Sequence, residues 1–178
     1  MISFLANLWL RLRVYWSNYR NRDNITDCQV LGKFDTPFMI LGFAVKMYNN
    51  FSYTYDDVSE LFDSMRYPAE CYSRLIKGVF KDDCDGFHAA LYHLAVKSGL
   101  NAYLLTYITT NIIDSHTVLL IKYYDRYCVI DYTSLISNDS FDEVLKATVD
   151  RRHKEEVAHN IVKFNYEQGK YEIVGKEI

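Results

Sequence analysis

The sequence predicts an α+β fold, helices first and mostly antiparallel strands after. Three observations carry this. Before Gly99, apolar residues recur at helical spacing between cap-forming residues. After Gly99 the pattern changes to runs rich in Tyr, Ile, Val, Leu and Thr, the residues that favour strands. The two kinds of segment are segregated along the chain rather than alternating, which separates α+β from α/β.

Residues 1–20 carry Leu5, Leu8, Trp9, Leu12, Tyr15, Trp16 and Tyr19 at helical spacing. Packing of Leu5, Leu8 and Leu12 on the domain is the expected use of that face in water. The apolar run is too short to span a bilayer, and Arg11 and Arg13 interrupt it. Basic groups outnumber acids over residues 1–34, so membrane-surface contact through residues 1–20 is the less favoured alternative. Thr36 and Pro37 supply an N-cap and a first helical residue for a helix over 38–48. Asn49-Asn50 breaks it. A further helix is predicted from Thr54 or Asp56 through Met65, stopped before Pro68. Residues 69–80 show no regular pattern and are expected to be an irregular approach to Cys84.

The next helix opens at Cys84. Phe87, Ala90, Leu91, Leu94 and Ala95 fill one face, Asp82 and Asp83 sit at cap positions, and Ser98-Gly99 is the stop. Strands are predicted over 102–109, 116–124 and 126–133. The middle one is apolar on both faces and should be interior. Ser140 and Glu143 read as a capping box for a charged helix over 141–155. Residues 161–166 and 170–174 flank Glu167-Gln168-Gly169 as a hairpin.

A chain of 178 residues with 49% apolar and 24% charged content fits one globular domain. It divides into a lead-in over 1–34, a core over 49–135 and a helix with a hairpin over 140–178. A net charge of -3 gives no reason to expect nucleic acid as a partner. Cys28, Cys71, Cys84 and Cys128 have no CxxC pairing, so a zinc site is not expected, and free thiols fit a reducing compartment. No signal peptide or transmembrane segment is recognised, which makes a cytoplasmic location the expectation.

Chemistry centres on Cys84. A thiol at a helix start feels the positive end of the helix dipole and the exposed backbone N–H groups, and both favour thiolate. The flanking carboxylates oppose thiolate and argue against full burial. A buried structural cysteine is the alternative. A nucleophilic cysteine needs a base, and the base needs an orienting group. His88 and His93 share the Cys84 helix, while His153 and His159 sit in or after the charged helix. His116, at the start of the second strand, has the better geometry. An even-length turn at Tyr124-Asp125 would put His116 opposite Thr133, with Asp131 diagonal to it on the same sheet face. Asp131 could then hold one imidazole nitrogen while the other meets Cys84. An ordinary strand-edge histidine and a turn aspartate are the alternative.

The segment Asp82-Asp83-Cys84-Asp85-Gly86-Phe87-His88 resembles the G-D-C-[DE]-D-[FY]-A motif of bacterial transglutaminase-like cysteine peptidases. Ser115-His116-Thr117-Val118 and Val129-Ile130-Asp131-Tyr132-Thr133 resemble the other two motifs of that family, and Gly99-Leu100-Asn101-Ala102 its helix-to-strand turn. The likeness covers residues 49–135. It implies a papain-like, transglutaminase-core fold, with the Cys84 helix packed on an antiparallel sheet. It also implies Cys84, His116 and Asp131 as nucleophile, base and orienter, acting on a protein or peptide amide through an acyl-enzyme. No cofactor is required on this reading. Some relatives bind calcium beside the cysteine, and Asp83 and Asp85, with Asp82, would be the ligands here; solvated helix-start carboxylates are the alternative. Asp82 stands where the motif has Gly, Gly86 where it has its second Asp, and His88 where it has a small residue. Acids beside the nucleophile and the absence of Trp after Trp16 point to a wet site and to hydrolysis. A transglutaminase, or a catalytically silent binding domain of the same fold, remains the alternative.

Overall fold

The computed structural model describes residues 2–21, 27–54, 65–78, 80–110, 115–152, 154–175 and 178. The helices are α1 (Ile2–Asn21), α2 (Pro37–Tyr48), α3 (Pro68–Ile76), α4 (Cys84–Lys97) and α5 (Phe141–Asp150). Strands β1 (Phe51–Tyr53) and β2 (Phe80–Asp82) form a short parallel pair. The remaining strands are β3 (Asn101–Thr109), β4 (Ser115–Tyr123), β5 (Arg126–Asp131), β6 (Ser134–Asn138), β7 (Glu156–Asn165) and β8 (Lys170–Val174). They make one antiparallel sheet in the order β6-β5-β4-β3-β7-β8. The α+β class and the packing of the cysteine helix on this sheet are as expected.

Helix α4 buries Phe87, Ala90, Leu91, Leu94 and Ala95 with Leu104, Leu119 and Ile130 of the sheet. On the opposite face, α5 buries Phe141, Val144, Leu145 and Val149 with Leu105, Val118, Leu120 and Val129. Strand β4 lies between β3 and β5 with both faces buried, as its two-sided apolar pattern requires. Gly99 ends α4 in the left-handed region, φ +87°, and lets the Leu100 amide donate back to the Ala95 carbonyl at 3.0 Å.

Four expectations are corrected. Residues 69–80 are not irregular: Pro68 opens α3, which buries Ala69, Cys71, Tyr72 and Leu75, and β2 follows. The run over 126–133 is not one strand. It stops at Asp131, and Tyr132, at φ +52°, turns it into edge strand β6. Helix α5 ends at Asp150 because β7 already begins at Glu156, which puts His159 on a strand, and Ser140 makes no side-chain cap bond. The helix expected from Thr54 or Asp56 lies mostly on residues 55–64, outside the described residues, as does His153.

Helix α1 is the fourth correction. Leu5, Leu8 and Leu12 do not pack on the domain; they are 49%, 44% and 42% exposed. The buried face is Ala6, Leu10, Arg13, Val14 and Ser17, set against β7 and β8. Apolar residues lie on both the outward and the inward face of this helix, so hydrophobicity alone does not choose its face. Polar contacts do. Arg13 donates from Nη1 to Thr106 Oγ1 at 3.1 Å and to Thr117 Oγ1 at 3.4 Å. Ser17 Oγ accepts from the Met65 amide at 2.9 Å, and Asn18 exchanges two hydrogen bonds with the Tyr171 backbone.

Candidate active site

Cys84 is the first residue of α4. Asp83 caps the helix, its carboxylate accepting from the Asp85 amide at 3.0 Å. The thiol therefore sits at the positive end of the helix. It is 7% exposed, more buried than its acidic neighbours predicted. Its Sγ accepts from the Thr117 amide at 3.5 Å. Thr117 follows His116 on β4, so the sulfur lies against the strand that carries the imidazole.

His116 Nε2 and Asp131 Oδ1 are 2.9 Å apart. The β4–β5 hairpin pairs Tyr123 with Arg126 across a two-residue turn, the even-length turn the catalytic reading required. Strand alternation then puts His116 and Asp131 on one sheet face. Burial opposes ionisation of Asp131. The hydrogen bond and charge of His116, with His88 and Arg152, outweigh it and hold the carboxyl well below the usual carboxylate range. A carboxylate only accepts, so His116 Nε2 carries the proton and Nδ1 keeps its lone pair. Burial also lowers the His116 pKa from the ordinary imidazole value, against the opposing effect of Asp131. A neutral imidazole with a free Nδ1 is the state a general base needs.

His88 has a different role. Its Nδ1 lies 2.6 Å from the Cys84 carbonyl oxygen, and its Nε2 accepts from the Tyr132 amide at 3.0 Å. A carbonyl only accepts and an amide N–H only donates, so both ring nitrogens are committed and the ring is neutral. Burial pushes its pKa down to about 3. His88 is thus unsuited to take the thiol proton; it ties the first turn of α4 to the end of β5. Tyr132 occupies the left-handed region, which costs a bulky residue about 1–3 kcal/mol. Its ring lies 4.9 Å from His88 and 5.9 Å from His116, packed beside Phe87 and Tyr48. Arg152, just past α5, reaches both carboxylate oxygens of Asp131 at 3.3 Å.

The acids flanking Cys84 are not solvated. Asp82, Asp83 and Asp85 are all buried. Asp85 pairs with Arg13 at 3.3 Å and Asp82 with Arg66 at 3.0 Å. Their oxygens lie within 4.8 Å of one another, close enough to share an ion. Asp82 and Asp85 already face guanidinium groups and Asp83 caps the helix through Oδ1, so an ion here would compete with Arg13 and Arg66 for these carboxylates. An added Cβ at Gly86 would fall 2.4 Å from Asp82 Cγ. Gly86 is therefore the residue that admits the Asp82 side chain.

Cys84, His116 and Asp131, chosen from sequence, are brought together. Asp83 and Asp85 also lie together, with the Arg13 and Arg66 charges unforeseen. Arg13, Arg152 and the packing role of Tyr132 were missed, and none has a local signal. His88 did have one: four residues after Cys84 on a helix, its ring can reach the Cys84 carbonyl.

No family model matches the chain, and no curated protein matches it in sequence. Among solved structures it is similar to Legionella pneumophila LapG, with a TM-score of 0.49 and 16% identity, over 75% of this chain and 68% of that one.

Proposed function

We propose that this chain is a thiol-dependent amide hydrolase, a cysteine peptidase of the transglutaminase-like kind that acts on a protein or peptide. One observation carries the reading. His116, paired with Asp131 of the next strand at 2.9 Å, stands on the strand whose next amide holds Cys84 Sγ at 3.5 Å, at the start of α4. His116 Nδ1 takes the thiol proton, and the thiolate attacks the amide carbonyl. The Cys84 N–H, at the helix start, donates to the developing oxyanion. The imidazolium, stabilised by Asp131, gives its proton to the leaving amine as the C–N bond breaks. Water, deprotonated by His116, then opens the thioester.

The wet-site argument for hydrolysis does not survive the burial of the three acids. Motif resemblance supports hydrolysis over transfer, and one assay decides it. A protein substrate is offered with excess labelled primary amine, and cleavage and label incorporation are followed together. Cleavage should lead and should vanish in Cys84→Ala and His116→Ala, while Asp131→Asn should fold and lose most of the rate. Incorporation that outruns cleavage would reject the hydrolase in favour of a transferase. Iodoacetamide at neutral pH separates both from a silent binding domain: Cys84 should react before Cys71 and Cys128, whose burial raises their pKa. Equal, slow labelling of all thiols would overturn catalysis.

A further inference from the structure

We propose that α1 docks this chain on the surface of an anionic lipid bilayer through its outward face. The inference is independent of the chemistry at Cys84. Phe4, Leu5, Leu8, Leu12, Tyr15 and Tyr19 are all exposed, Phe4 and Tyr15 at 71% and 70%. At 100° per residue they form one stripe opposite the buried face of Ala6, Leu10, Arg13 and Ser17. From Phe4 to Tyr19 the stripe runs about 22 Å along the surface. Soluble surfaces seldom present so continuous an apolar band without an occupant.

Charge selects the occupant. Helix α1 carries Arg11, Arg13 and Arg20 and no Asp or Glu, although the whole chain is net -3. Arg13 is spent inside on Asp85, while Arg11 is exposed beside the stripe. A second copy laid antiparallel, stripe to stripe, would bring the two Arg11 side chains together near the middle of the helices, with no acid on either helix. Anionic headgroups complement them, and Tyr15, Trp16 and Tyr19 are the residue types that sit at a bilayer–water boundary. Among the described residues, no helix is long and apolar enough to cross a membrane, so the geometry is that of a helix lying on the surface. The inner face is already fixed by Arg13 and Asn18. The stripe is therefore preformed, and binding need not order it.

Co-sedimentation tests this with vesicles of phosphatidylcholine containing about a third phosphatidylserine, against phosphatidylcholine alone. The full chain should sediment with the mixed vesicles and at least about tenfold less with the neutral ones. Leu8→Glu with Leu12→Glu should lose that binding at an unchanged melting temperature, since both side chains already face solvent. Tyr15→Ser and Arg11→Glu should each weaken it and serve if the double variant fails to fold. Wild-type protein left in the supernatant with mixed vesicles would overturn the proposal. So would a lipid-independent dimer, seen by sedimentation velocity and dissolved by the Leu8 and Leu12 changes, in protein that ignores both vesicles.

Discussion

Replacing Arg13 by Met probes the contact that sets the face of α1 and neutralises the nucleophile's neighbour. Methionine keeps an apolar stem of similar length and removes the charge. Asp85, 3% exposed and 3.3 Å from Arg13 Nη2, is then left as an uncompensated buried carboxylate. Breaking such a pair from one side costs about 3–5 kcal/mol. Protonation offers an escape, but at pH 7 it costs an ordinary carboxyl about 4 kcal/mol, which caps the electrostatic part. The Thr106 and Thr117 hydroxyls lose a donor yet keep each other at 2.9 Å, so they add little. The expected loss is therefore about 3–5 kcal/mol. Asp85→Asn in the same background removes the stranded charge and should recover about 2 kcal/mol or more. Urea unfolding followed by circular dichroism reads both, with the slope held common. The pH dependence has a definite sign. An unpaired buried carboxyl binds its proton more tightly folded than unfolded, so the deficit should shrink as pH falls from neutral, by at most about 1.4 kcal/mol per unit. A loss below about 1 kcal/mol, or a double variant no better than the single one, would refute the reasoning.

His88 predicts acid sensitivity. Its imidazole has an ordinary value near 6.5 and is held at about 3 when folded, so the unfolded chain binds more protons in between. The stability this neutral histidine contributes is present above about pH 6.5 and is lost as pH falls toward 3. His88→Leu should flatten that limb of the stability–pH curve, while costing about 1–3 kcal/mol at neutral pH by orphaning the Tyr132 amide. Parallel acid limbs for the two proteins would contradict it. Gly86→Ala should cost about 1–3 kcal/mol by overpacking against Asp82, and adding Asp82→Gly should relieve it; thermal melts with no relief would disprove the contact. Calorimetry on calcium-stripped protein should register no binding at millimolar calcium, and a saturable heat there would show that an ion can displace Arg13.

Local signals made α4 and the β4–β5 hairpin legible. A cap, a 3.6-residue period and a glycine stop all lie within the helix itself. The catalytic reading requires an even turn at Tyr124-Asp125, and the hairpin has that turn, which puts His116 and Asp131 on one face. Helix α1 defeated the same method. A helix with apolar residues on two opposite faces does not say which one is buried until a distant partner selects it, and Arg13 finds Thr106 and Thr117 about a hundred positions away. Strand β6 was hidden for a related reason. Its turn uses Tyr132 in a conformation that usually calls for glycine, so nothing in the composition marked the reversal.

The acids at Cys84 show the limit most clearly. Along the chain, Asp82, Asp83 and Asp85 read as a solvated run or a metal site, because their counter-charges arrive from other parts of the chain. Position 82 carries Asp where the resembled motif has Gly, and position 86 carries Gly where it has Asp. Taken separately these are two losses. In space they are one exchange: the Asp82 carboxylate occupies the place into which a side chain at 86 would project, 2.5 Å from its Cβ. The first turn of α4 thus keeps an acid at that spot, delivered from β2 instead of from the helix and balanced by Arg66 at 3.0 Å. A side chain at 86 requires a small residue at 82, and the reverse. The two departures therefore depend on each other and leave the backbone around Cys84 free to form the same helix start.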